Sequence, residues 1–138
     1  MKTMDLVDRA AIHAVLERVR QLAELDAADR TQLAALAEPR AYRFGERLFH
    51  EATRRRWFGV VAEGLVELLR GPEGHARHVA VVGPGGCLGE GLFLDDLPHT
   101  VSAIALASTT VVQVPAAEIA RLRAERPALF SRMAQGFA

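Results

Sequence analysis

Residues 83–105 read Gly-Pro-Gly-Gly-Cys-Leu-Gly-Glu-Gly-Leu-Phe-Leu-Asp-Asp-Leu-Pro-His-Thr-Val-Ser-Ala-Ile-Ala. The glycine-rich turn at Gly83–Gly86 delivers Leu88-Gly89-Glu90 onto a single helical turn, expected at about 90–94. A short acidic loop, Asp95-Asp96, leads through Pro98-His99-Thr100 into an alternating strand. Glycines let a backbone approach a bound group closely, and helix-start N–H groups suit an anion. A carboxylate at such a start can accept a hydroxyl. The stretch therefore reads as a binding turn set between two strands.

The pattern on either side is that of short strands. Residues 41–44, 48–50, 58–62, 65–69, 77–82, 100–106 and 110–114 are the strand candidates, separated by turns at Gly45-Glu46, Glu63-Gly64 and Gly71-Pro72-Glu73-Gly74. Seven or eight strands at this spacing predict an antiparallel sandwich, jelly roll or roll rather than a parallel sheet. Helices flank them. Ile12, Val15, Leu16, Val19 and Leu22 follow a helical period over about 5–24. Asp26 is placed to cap a second helix, with Asp29 as the acid of a capping box and Pro39 as the stop. Pro115 and Pro127 each suit the first turn of a further helix, the latter ending near Gly136. The fold class is thus mainly β with flanking helices: N-terminal helices over 1–38, a β-roll over 39–114 and C-terminal helices over 115–138, one globular domain in all.

Composition narrows the function classes. The 138 residues are 50% hydrophobic and 25% charged, which is ordinary for a globule with a real core. Lys plus Arg and Asp plus Glu are both 17, and a net charge of zero opposes the basic field of a nucleic-acid binder. The run Arg54-Arg55-Arg56 reads as solvated surface. One cysteine, Cys87, rules out an internal disulfide and suits a reducing compartment. No apolar run reaches membrane-spanning length and the first residues lack a secretory pattern, so a cytoplasmic location is expected.

Four segments together resemble the cyclic-nucleotide-binding domain superfamily. Tyr42-Arg43-Phe44-Gly45-Glu46-Arg47-Leu48-Phe49 is similar to its opening strand, glycine turn and second strand. Val60-Val61-Ala62-Glu63-Gly64-Leu65-Val66-Glu67-Leu68 is similar to its next two strands. Residues 82–90 resemble the approach to the phosphate-binding cassette, and 98–105 the strand that leaves it. The resemblance covers about 33–130 and extends to the N-terminal effector domain of catabolite-activator-type bacterial transcription regulators. It implies a roll with a cyclic-nucleotide (cAMP or cGMP) pocket beside the short cassette helix. It also implies that Gly89, Gly91 and Leu92 present N–H groups to phosphate or sugar, Glu90 accepts a ribose hydroxyl, Thr100 gives its hydroxyl to phosphate or base, and Val66 and Val82 wall the base.

His99 departs from that pattern, because the family places an arginine there to grip the cyclic phosphate. Arginine carries a permanent charge and a forked donor, whereas a neutral imidazole offers one N–H. At roughly 1.5–3 kcal/mol per hydrogen bond to a charged group, the exchange weakens anion binding by about 10- to 1000-fold. If the imidazole faces the anion, its charge should appear as pH falls from about 8 to 6. Leu92 stands where the family has a small residue, and is expected to narrow the pocket.

The reading is of a regulatory sensor domain that binds a cyclic nucleotide or other small anion weakly or conditionally. A protein-interaction or dimerisation module with a vestigial pocket, part of a larger regulator or fused enzyme, is the alternative. A metal- or haem-bearing roll is a minor one, since His75 and His78 would point to opposite faces of a strand and Cys87 has no evident co-ligand. The nucleophile-elbow serine, phosphate loop and zinc-protease helix are all absent from the sequence, so no catalysis is expected. DNA binding does not transfer to this chain, whose end at Ala138 falls near the expected start of the regulators' long dimerisation helix. A monomer or weak homodimer is expected, any dimer using helical surface.

Overall fold

The computed structural model describes residues 9–95 and 97–138. Eight strands run in the order β1 (Glu38–Tyr42), β2 (Arg47–Phe49), β3 (Trp57–Glu63), β4 (Val66–Arg70), β5 (Arg77–Val82), β6 (Cys87–Leu88), β7 (Ser102–Ala105) and β8 (Thr109–Pro115). They form two four-stranded sheets, ordered β1-β8-β3-β6 and β2-β7-β4-β5, with every pairing antiparallel. Mainly β with flanking helices is the architecture found.

Alternation along the strands sorts the side chains into two cores. Tyr42, Leu48, Val61, Val66, Leu88, Ala103, Ala105 and Val111 pack together as one core. The opposite parity, Phe58, Val60, Val112 and Val114, faces the helices. These are α1 (Arg9–Glu17), α2 (Ala27–Ala35), α3 (Ala116–Glu125) and α4 (Pro127–Phe137). Ile12, Val15, Leu16, Val19 and Leu22 are all buried in that second core. The N-terminal stripe therefore covers its own domain, and leaves no apolar helical face there for a partner.

The helix signals hold with local adjustments. The first helix is shorter than expected: α1 ends at Glu17 and a 3-10 turn follows at Arg20–Leu22, while the anticipated start at 5–8 lies outside the described residues. Asp26 caps α2 and Asp29 completes the capping box. Pro39 sits in β1, an edge strand where a missing N–H is tolerated, after α2 has already ended at Ala35. Gly136 does not end α4, which continues to Phe137. A Cβ at Gly136 would overlap the Gln21 carbonyl, so the glycine serves close packing of α4 on the 3-10 turn.

Asp29 does double duty. Besides the cap, it takes a two-pronged contact from Arg132 of α4, at 2.8 and 3.1 Å. This joins α2 to α4. Asp29→Ala should lower unfolding free energy by about 1–2 kcal/mol, since cap and ion pair are lost together. Arg132→Gln, at a half-exposed position, should cost about 1 kcal/mol or less. Urea denaturation checks both, and equal losses would show that the cap contributes nothing.

Candidate functional site

The short strand β6 is held against β3, with Cys87 opposite Val60 and Leu88 opposite Gly59. Hydrogen bonds from Gly85 N–H to the Val61 carbonyl (2.8 Å) and from Val61 N–H to the Gly86 carbonyl (2.9 Å) fasten the preceding turn to the same strand. Gly89 then adopts φ +71°, and a Cβ there would run into the Trp57 carbonyl. Only glycine takes this conformation at so close a backbone approach. A 3-10 turn at Glu90–Phe93 follows, where the sequence predicted a single helical turn.

Around this turn lies a cavity of about 70 Å³, lined by Phe49, Arg55, Leu68, Cys87, Leu88, Gly89, Glu90, Gly91, His99, Thr100 and Val101. Of the expected site residues it gathers Gly89, Glu90, Gly91, His99 and Thr100. Leu92, Val66 and Val82 lie elsewhere. Leu92 packs on the helical core, and its N–H donates to the Gly89 carbonyl at 3.2 Å. Val66 and Val82 belong to the other core. Leu92 therefore does not narrow this cavity.

What narrows it comes from the loop between β2 and β3. Arg55 was expected in solvent, yet its side chain is 11% exposed. Its guanidinium lies against Gly91, where a Cβ would overlap it. Arg54 and Arg56 are exposed, as expected. Arg55 Nη1 donates to the Asp95 carboxylate at 2.9 Å and to the Leu97 carbonyl. The Leu97 N–H, and secondarily Arg55, hold the Asp95 carboxyl below its ordinary range.

The loop is tied to the chain around His99. His99 N–H donates to the Thr53 carbonyl (2.9 Å) and its carbonyl accepts from Ala52 N–H (2.8 Å), while Glu51 N–H donates to Ser102 Oγ (2.9 Å). Ala52 takes the left-handed conformation, φ +67°, which an alanine adopts only under local constraint. The His99 ring stacks on Phe49, 3.7 Å between centroids and 8° from parallel. Burial, followed by the nearby Arg55 charge, pulls the His99 pKa down to about 4. Both causes favour the neutral imidazole near neutral pH. Burial, aided by Glu90, pushes the Cys87 thiol up to about 12, favouring the neutral thiol. His78 meets Glu67 at 3.0 Å across β4 and β5.

A histidine whose folded pKa lies below its unfolded value stabilises the fold only while neutral. Its contribution should be complete above pH about 6.5 and lost as pH falls toward 4. His99→Phe keeps an aromatic ring on Phe49 but cannot titrate. Between pH 6.5 and 4 the wild type should lose more stability than this variant in urea denaturation. Parallel pH profiles would show that His99 is not desolvated.

The domain model described as cyclic nucleotide-binding domain matches residues 39–126. No curated protein matches the chain significantly. Among solved structures, the N-terminal domain of a transcriptional regulator from Streptomyces coelicolor A3(2) is similar, at 28% identity and TM-score 0.77, over 89% of this chain and 87% of that one. A variant regulatory subunit of a cAMP-independent protein kinase A from Trypanosoma brucei, bound to cAMP in its A site, matches at 19% identity and TM-score 0.72, over 89% of this chain and 49% of that one. The corresponding subunit from Trypanosoma cruzi, bound to guanosine, matches at 21% identity and TM-score 0.76, over 89% and 43%. The two trypanosome likenesses speak for the fold alone, whereas the family model spans well over half of the sequence. The chain belongs to the cyclic nucleotide-binding domain family.

Proposed function

We propose that this chain is the sensor part of a larger cytoplasmic regulator and takes a cyclic nucleotide or another compact anion at the cassette weakly and conditionally. In this role Gly89, Gly91 and Leu92 offer backbone N–H groups once the turn loosens, Glu90 accepts a ribose hydroxyl, Thr100 donates its hydroxyl to phosphate or base, and Val66 and Val82 line the base-side wall. The domain regulates and does not catalyse. The observation that carries the reading is a cassette of family geometry closed to about 70 Å³, against the 300 Å³ or more of ordinary ligand pockets. A buried, neutral His99 lines it. Ligand must therefore open the site, and it meets no arginine at position 99.

Proteins of this fold hold different ligands. The T. brucei subunit is called cAMP-independent, and its cAMP-bound variant carries three substitutions, one of them threonine to arginine. The T. cruzi subunit holds guanosine. The S. coelicolor domain belongs to a transcriptional regulator. A second reading, an interaction module with a vestigial pocket, is favoured by one observation: the Arg55 charge is already paired with Asp95. On either reading the chain is a monomer or a weak homodimer, and it does not bind DNA by itself.

Calorimetry with cAMP and cGMP on wild type and His99→Arg separates the two. The sensor reading expects weak binding by wild type and a gain of at least about tenfold in the variant, as one additional charge-assisted bond provides. Absence of binding by both proteins favours the interaction module.

A further inference from the structure

We infer that Arg55 supplies the phosphate-holding guanidinium of the cassette in place of the missing arginine at position 99, and that Asp95 occupies it until a phosphate-bearing nucleotide arrives. This rests on the sensor reading and names the residue through which it works.

Four observations converge on Arg55. Its guanidinium lines the same cavity as Gly89, Glu90, Gly91, His99 and Thr100. Its path is built in, because Gly91 leaves the space into which it fits. The loop that carries it is pinned to the His99 main chain by two hydrogen bonds, so this cation arrives where the family's own arginine segment lies. Finally, its fork is half used. Both hydrogen bonds leave from Nη1, and among the described residues Nε and Nη2 have no hydrogen-bond partner. A guanidinium is a planar five-donor group suited to gripping two oxygens of one phosphate.

The charges around it fit an exchange of anions. Glu90 lines the same cavity, Cys87 is held as a neutral thiol and His99 as a neutral imidazole. Asp95, the anion now on Arg55, is half exposed and returns to water at little cost. A cyclic phosphate would replace one negative charge by another of equal size, with a better match to the fork.

The test compares cAMP with adenosine, which lacks the phosphate, by competition against a fluorescent cAMP analogue and by calorimetry. Arg55→Gln should lose about 10- to 100-fold in cAMP affinity while adenosine binding changes less than about twofold. Arg55→Lys, which keeps charge without the fork, should fall between. Asp95→Asn should bind cAMP about two- to fivefold more tightly, the gain expected from removing an exposed ion-pair competitor. Equal cAMP binding by wild type and Arg55→Gln would overturn the assignment and leave the sensor reading intact. So would equal losses for cAMP and adenosine, which would mark Arg55 as scaffold. Should Arg55→Gln fail to fold, Asp95→Asn decides, and no gain there overturns the assignment. If wild type, Asp95→Asn and His99→Arg all fail to bind cAMP, cGMP and inorganic phosphate at millimolar concentration, the sensor reading itself falls.

Discussion

The sheet β1-β8-β3-β6 is covered on both faces, and the rest of the molecule is arranged around that constraint. Strand β8 is buried at six consecutive positions, Thr109 to Val114. A strand reads this way when each parity has a partner layer. Val112 and Val114 meet the helices, whereas Val111 meets the second sheet. Gln113 could enter the interior because its amide donates to the Tyr42 hydroxyl at 2.7 Å. With β3 clamped between two cores and paired to β6, the approach to the cassette has no freedom to shift. Gly89 turns where the Trp57 carbonyl leaves room for nothing larger than a hydrogen.

That rigidity explains how one changed residue in the cassette is accommodated. An arginine at position 99 would need a counter-anion or solvent. The imidazole instead joins an aromatic stack, and burial keeps it neutral. The main-chain bonds of the segment do not depend on the side chain, so the β2–β3 loop docks on it regardless. The docked loop brings a different guanidinium to the same cavity. On the assignment proposed above, the positive charge of the cavity comes from the loop preceding β3.

Most of the fold was legible because its signals are local. Alternation gave seven of the eight strands, turn glycines gave their order, and Asp26 with Asp29 gave the start of α2. The exceptions have physical causes. Strand β6 is two residues long and owes its pairing to β3, not to any pattern of its own. Pro39 looked like a helix stop, but an edge strand admits it equally well. Gly89, Glu90 and Gly91, which the family resemblance singled out, line one cavity together. Side-chain destinations were not legible. Leu92 turned to the helices, and a charged triplet hid one inward arginine between two outward ones. Arg55 lies just before β3, and its side chain is buried between exposed Arg54 and Arg56. Which side faced the cassette required the pairing of β3 with β6.

The position of Phe93 connects this site to the helices. It belongs to the same 3-10 turn as Gly91, and its ring sits 5.1 Å from Phe58, 5.5 Å from Phe130 and 5.5 Å from Phe137, measured between centroids. The last two residues are on α4. The turn is therefore a lever with a guanidinium at one end and an aromatic cluster at the other. On the sensor reading, opening the cassette for a nucleotide would move Phe93 within a packed core, which changes by discrete repacking and not by smooth deformation. Apparent affinity is the intrinsic affinity reduced by the fraction of molecules already open. Each roughly 1.4 kcal/mol of closure, contributed by the Arg55–Asp95 pair and the Phe93 cluster together, lowers it about tenfold. The same terms that make binding weak are the ones a ligand must reverse, so α4 receives whatever repacking the ligand drives. On the sensor reading, weak binding and transmission to the C-terminal helices are two consequences of one closed turn.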